Sequence, residues 1–412
     1  MKFQRMLNYY VSAMVFGLAV CAICSTFSYT VEAADWPNWR GPNHNGVSNE
    51  TGWLTTWPEA GPKVLWEKTL GTGFGSMAVA EGRVYAMGNI NNNDILYCLD
   101  ADTGKEIWKK SYPCPLFDKN HEGGPSATPT IEGESVYTLS KNGDAIRFTK
   151  ANGEIVWHKK LNNDLGYKHP TWYFAGSALI IDNIVILNVG TYGVGLNKAD
   201  GSIIWENGKD PAGYSTAVPF TMDGQKCIAL FTAREMVALV ATTGKILWKI
   251  PWKTSYDVNA ADAIIEGNKI FLSSGYNKGC AVYTFSSSDF TEDWQNKNMR
   301  NHFNSCVLWK GYIYGVDDGE SISCLDFKTG QVKWAQRGFG KGSLILADGK
   351  LIILSDKGKL AIAEASPTEF KQLAEAQVLS GKCWTSPVLA NGRIYARNNP
   401  DGRLVCLDVS GK

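Results

Sequence analysis

One phrase recurs along this chain: an apolar alternating strand, a polar turn closed by glycine, then a strand carrying tryptophan. It is intact at Asp100-Ala101-Asp102-Thr103-Gly104 leading to Trp108, and at Asp326-Phe327-Lys328-Thr329-Gly330 leading to Trp334. The same spacing joins Asn152-Gly153 to Trp157, Asp200-Gly201 to Trp205, and Thr243-Gly244 to Trp248. A worn copy runs from Ser286 through Asp289-Phe290 to Trp294, and a degenerate one surrounds Pro367-Thr368, with Phe370 in the region where Trp would lie. Glycine adopts a positive φ at little cost, and Asp, Asn or Thr before it can bond the turn backbone, so each copy reads as a hairpin between two strands. Where Phe290 stands in place of the glycine, a distorted turn is expected.

A second phrase precedes each copy: a short strand, a turn, then a β-rich strand, as in Ala80-Glu81-Gly82 before Val84-Tyr85 and Ala390-Asn391-Gly392 before Ile394-Tyr395. Together the phrases make four strands in roughly 40 to 50 residues, the size of a propeller blade. Seven complete units can be counted. An eighth reaches Leu404-Val405-Cys406-Leu407-Asp408 and then lacks its Trp-bearing strand. An orphan strand of that kind stands at the other end, at Lys63-Val64-Leu65-Trp66. Joining the two ends removes a bare sheet edge. The expected fold is all-β: an eight-bladed β-propeller of four-stranded antiparallel blades, the last closed by the N-terminal strand. The propeller is assigned to 61–412, with an extended segment over 34–60.

Within this scheme Trp66, Trp108, Trp157, Trp205, Trp248, Trp294 and Trp334 are structural, packing between blades with each indole N–H on a turn backbone. Ser76, Ser305, Ser343 and Ser386 each stand six places before a turn glycine. Small side chains there answer the crowding of inner strands toward the axis. Cys98, Cys324 and Cys406 take a small-residue slot, filled in other copies by Gly195, Ala238 and Thr284, rather than a redox role.

The first 33 residues read as a targeting segment to be removed: Lys2 and Arg5, an apolar run from Val11 to Ile23, then Val31-Glu32-Ala33. The apolar core is shorter than the ~20 residues of a membrane span. An exported protein of the periplasm or cell envelope, with no stable span in its mature form, follows. Ten Cys are present, but no Cys-x-x-Cys occurs after residue 24, so zinc-ribbon and c-type haem readings lack their ligands. Net charge is +1 without a basic stripe, which excludes nucleic acid as the expected partner.

Loops entering the innermost strands of a propeller gather at one mouth of its channel. Here they carry His121, Glu122, His169, Trp172 and Tyr214, and further on Asp257, Asn304, Lys341 and Trp384. His302 lies in the same set, so three of the five His fall in these loops. Aromatic walls with a few convergent polar groups suit a flat or sugar-like ligand. Glu122, beside Gly123-Gly124, is the candidate for accepting a proton or binding a cation.

The phrase Asp-x-x-Thr-Gly-x-x-x-Trp, seen at Asp100 to Trp108 and Asp326 to Trp334, resembles the tryptophan-docking repeat of the PQQ-repeat family, over nearly all of 61–412. The resemblance implies the eight-bladed quinoprotein-type propeller. That family includes PQQ-dependent alcohol dehydrogenases and BamB, a non-enzymatic outer-membrane assembly factor. The start Trp36-Pro37-Asn38-Trp39-Arg40-Gly41-Pro42 looks like that of exported members without an assigned role. The vicinal Cys-Cys pair typical of the dehydrogenases is absent from this chain. Two readings therefore stand. The first is a BamB-like binding or interaction scaffold at the cell envelope, monomeric, with an envelope protein partner and no required cofactor. The alternative is a PQQ- and calcium-dependent alcohol or sugar dehydrogenase, with its ligand in the central channel and Glu122 or Asp257 as base.

Overall fold

The computed structural model describes residues 34–411; the targeting segment expected over 1–33 lies outside the described residues. Eight blades of four antiparallel strands follow one another around a central axis, and the sheet of the seventh gains a fifth, parallel strand, Val47–Ser48. Blades 1 to 7 cover 78–113, 130–160, 179–206, 218–251, 264–296, 307–337 and 343–377. Blade 8 takes three strands from 388–408 and its outermost strand, Lys63–Thr69, from the other end of the chain. Lys63 faces Asp408, and Trp66 faces Cys406. The circular closure expected from the orphan strand is therefore present. Among the described residues no helix is long and apolar enough to cross a membrane.

The innermost strands are short, three residues in blade 1 (Ala78–Ala80) and blade 8 (Val388–Ala390), because they converge on the axis. The middle strands are buried on both faces and supply the core, which is why they read as near-continuous apolar runs such as Ile394-Tyr395-Ala396. Outer strands alternate, since one face meets the next blade and the other meets water.

Every outer strand carries a register shift at the same place. In blade 1 Cys98 pairs with Trp108, whereas Leu99 pairs with Glu106, so one residue is left over. The same step occurs beside Trp157, Trp205, Trp248, Trp294, Trp334 and Trp66. A bulge bends the strand and re-aims the next side chain. Here it turns each indole onto the following blade. Trp66 donates to Ala101 O at 2.9 Å, Trp108 to Lys150 O at 3.1 Å, and Trp205 to Ala241 O at 3.0 Å. Trp157, Trp248, Trp294 and Trp334 repeat the bond on Lys198, Ser286, Phe327 and Ser366. The turn glycine lies flat under the ring: a methyl group on Gly104 would stand 2.6 Å from Trp66, and φ there is 66°.

Two sequence expectations need correction. In blade 7 the position that Trp holds elsewhere is Ala374, opposite Ile362. Phe370 instead packs on Trp334, 5.5 Å between ring centroids. In blade 5 the place equivalent to Cys98 is Val282, not the distal Thr284. Both shifts follow from bulge positions, which turn spacing in the sequence does not reveal.

Candidate functional site

Inner strands are stitched from blade to blade by one repeated hydrogen bond. Ser76 N–H donates to Thr128 Oγ1 at 3.0 Å, Thr128 N–H to Ser177 Oγ at 2.9 Å, and Ser177 N–H to Thr216 Oγ1 at 2.9 Å. Thr216 N–H then donates to Asp262 Oδ1 at 2.8 Å, and Asp262 N–H to Ser305 Oγ at 2.9 Å. Asp262 thus occupies a hydroxyl position of the repeat. Its second oxygen is free to do something else. It accepts the indole N–H of Trp39 at 2.5 Å, and Arg40 lies 3.8 Å away. Burial raises the Asp262 carboxyl, and the Arg40 guanidinium works against that rise.

The stretch 34–50 therefore crosses the channel. Trp36 bridges to Val79 of blade 1, and Ile131 N–H of blade 2 donates to Pro37 O. Arg40 donates to Cys306 O near blade 6 at 2.7 Å. Val47–Ser48 then runs parallel to Leu346 and Ala347 of blade 7. Trp39 becomes one wall of an axial cavity of about 340 Å³ to which all eight blades or the loops entering them contribute.

Of the nine residues proposed from sequence for this region, His121, Trp172, Tyr214, Asn304, Lys341 and Trp384 line the cavity. Glu122, His169 and Asp257 do not. Glu122 is held by Lys382 at 2.5 Å. His169 stacks on Tyr173, which stacks on Phe117, with centroid separations of 4.3 and 3.9 Å. Asp257 forms a two-toothed pair with Arg234 on the surface. Neither carboxylate proposed as a base faces the cavity, because each has a cation closer on its own loop or on a neighbouring one.

His302, expected in the same loops, also lines the cavity, and the structure adds Trp39, Phe74, Lys141, Asp262, Tyr276 and Phe303. Lys141 and Tyr276 come from turns after the second strand of their blades, outside the loops that enter the inner strands. Asp262 was legible in principle. It stands five rather than six places before its turn glycine, Gly267, so the serine spacing passed over it.

The rim is a chain of rings. Trp172 lies 6.1 Å from both Tyr214 and Tyr256; Tyr256 meets Tyr276 at 5.6 Å, and Tyr276 meets His302 at 4.7 Å. His302 touches Phe303, Phe303 touches Trp384 at 4.8 Å, and Trp384 stacks with Phe74 at 5.8 Å. Phe74 then meets His121 edge-on at 5.4 Å. Tyr173, Tyr256 and Asp257 have φ of 66°, 61° and 55°. Side-chain residues hold that conformation only when surrounding contacts impose it.

Four basic side chains, His121, Lys141, His302 and Lys341, line the cavity against one carboxylate, Asp262. Burial, assisted by Lys141, pushes the His121 imidazole down to about 4, and burial pushes the Lys141 ammonium down to about 8. Burial also lowers His302 and raises the Tyr214 phenol to about 12. A calcium-borne quinone needs six to eight oxygen ligands around its cation. Asp262 is the one carboxylate in the lining, and both its oxygens are engaged. Among the described residues no cluster of three or more His, Cys, Asp or Glu could hold a metal ion. These side chains do not fit the quinone–calcium pair.

A closed eight-bladed propeller, docked by tryptophan and with an aromatic, basic axial cavity, defines a binding module of the PQQ-repeat class. The family model described as outer membrane protein assembly factor BamB matches residues 50–208 and 91–336, and the chain belongs to that PQQ-repeat family. BamB of Yersinia pestis is 22% identical over 361 residues, covering 81% of this chain and 86% of the relative. BamB of Moranella endobia is 22% identical over 300 residues, covering 67% and 72%. The crystal structure of BamB from Moraxella catarrhalis superposes with a TM-score of 0.63 at 13% identity, covering 84% of this chain and all of that one. Quinohemoprotein alcohol dehydrogenase from Comamonas testosteroni gives the same TM-score at 13% identity, over 92% and 81%. At such identities the two structures show the shared fold.

Proposed function

We propose that the protein is a BamB-like scaffold of the cell envelope that binds a protein partner in outer-membrane protein assembly. The relatives' description supports the process. The observation that carries the binding role is an exposed apolar edge on adjacent blades. On the outer strand of blade 2, Ile155 is 52% and Val156 44% exposed; on that of blade 3, Ile203 is 39% and Ile204 40% exposed. Both strands end their sheets, so their outer backbone edges are unpaired. A bare edge with exposed branched side chains is a template for an added strand. Such an edge is costly to keep in a monomer unless something covers it.

Its test is a photoreactive residue at Ile155 or Ile203, with a control at Glu59, in cells that make the protein. The expected result is a crosslink to one outer-membrane assembly component from the edge positions and none from the control. With the photoreactive residue moved to Val156, Ile155→Lys with Ile203→Lys should remove the crosslink and lower the amount of outer-membrane β-barrel protein. Unchanged barrel levels in cells lacking this protein would overturn the reading.

A further inference from the structure

The axial cavity contains a buried cation without a counter-ion. Lys141 is 2% exposed and lines the cavity, yet it forms no ion pair among the described residues. The other charges nearby are matched: Arg40 by Asp262, Lys341 by Asp318 and Lys382 by Glu122. Asp94 acts on Lys141 only from beyond ion-pair distance, and its own carboxyl is raised to about 7 by burial.

Lys141 Nζ stands 3.1 Å from His121 Nε2. The tautomer of His121 follows from its other nitrogen. Gly123 N–H donates to Nδ1 at 2.9 Å, so the neutral ring carries its proton on Nε2. Two donors then face each other with no acceptor between them. The bare pair is satisfied only if Lys141 surrenders its proton and its lone pair accepts Nε2–H. One oxygen atom of an anion accepts from both and keeps the ammonium charged.

Aromatic rings flank the same space: Phe74 and Trp384 stack beside His121, and Trp172 and Phe303 complete the walls. We propose that the axial cavity binds a small aromatic monocarboxylate, its carboxylate between Lys141 and His121 and its ring among Phe74, Trp172, Phe303 and Trp384. One unmatched cation fits one negative charge, and a wall of rings fits a flat body.

Calorimetric titration of the purified protein with benzoate, trans-cinnamate, acetate and benzamide tests this. Saturable one-to-one binding of benzoate or cinnamate is expected. Benzamide, which has the same shape without the charge, should bind about tenfold more weakly or worse, the worth of one charged hydrogen bond. Lys141→Met should erase the preference of acid over amide, while Glu154→Gln, exposed in the outer turn of blade 2, should leave it intact. If Lys141→Met does not fold, the comparison of acid and amide on the unaltered protein still decides. Equal affinities for benzoate and benzamide, acetate binding as tightly as benzoate, or no saturation by either aromatic acid into the millimolar range would each overturn the proposal.

Discussion

Each docking tryptophan does two separable jobs, and substitutions can tell them apart. The ring of Trp205 covers Gly244 and fills the junction of blades 3 and 4, while its N–H satisfies Ala241 O. Trp205→Phe keeps most of the ring and loses the bond, at about 1 kcal/mol. Trp205→Ala also leaves a cavity, at about 3–5 kcal/mol. Denaturant unfolding of the two variants should rank them in that order. Acid titration gives a second prediction. His121 titrates near 4, below the 6.5 of a free imidazole. Between those values the unfolded chain binds more protons, so this contribution to stability, complete above pH 6.5, is lost as pH falls through 4. Asp94, raised to about 7, acts oppositely: its burial costs stability as pH rises from the free carboxyl value of 3.8 through 7. Ring NMR should show His121 neutral at pH 5.5, and Lys141→Met should raise its titration point.

Seven junctions carry a docking tryptophan, and the eighth, from blade 7 to blade 8, has Ala374 instead. The stretch 50–61 occupies that seam. The carbonyl of Val409, equivalent in its blade to Ala101 in blade 1, accepts the backbone N–H of Leu54 at 2.7 Å. Trp57 donates its indole N–H to Glu375 O on blade 7 at 3.2 Å, and Trp53 is buried in the adjoining core. Glu50 anchors the stretch by accepting the backbone N–H groups of Asn391 and Gly392 in the first turn of blade 8. A strap therefore stands in for the missing side chain. Trp53→Ala should destabilise by about 3–5 kcal/mol. Glu50→Ala, which leaves buried donors unpaired, should cost about 1–3 kcal/mol. Hydrogen exchange in both variants should rise first in blades 7 and 8; a uniform rise across all blades would show that the seam is not the site of the defect.

The ring is held shut from both ends of the chain. Lys63–Thr69 pairs along Arg403–Asp408, and Arg403 and Glu67 face each other as an ion pair on the outside. Inside, Arg397 is fully buried and donates to Met87 O, Gly71 O and Gly75 O, tying blade 8 to blade 1 and its entering loop. Deleting 34–69 removes the closing strand and the strap together. Such a protein should associate through the bare edge of 403–408, visible as dimers or aggregates by size-exclusion chromatography; a monomer with unchanged unfolding would contradict a closure role.

The repeated turn and tryptophan spacing, read along the chain, was enough for the blade count and the splice of Lys63–Thr69 onto Arg403–Asp408, because hairpins and strand alternation are local and their chemistry sits in adjacent residues. Mouth residues borne on inner-strand loops, such as His121 and Trp384, could be located in the same way. Side-chain partners could not. Glu122 and Asp257 look alike as free carboxylates until folding sets Lys382 and Arg234 beside them. Lys141 is an ordinary turn lysine until the ring closes and excludes water from it. Trp39 crosses to Asp262, 223 positions away. Charge compensation and burial depend on what distant segments bring to a point, and no local pattern carries that information.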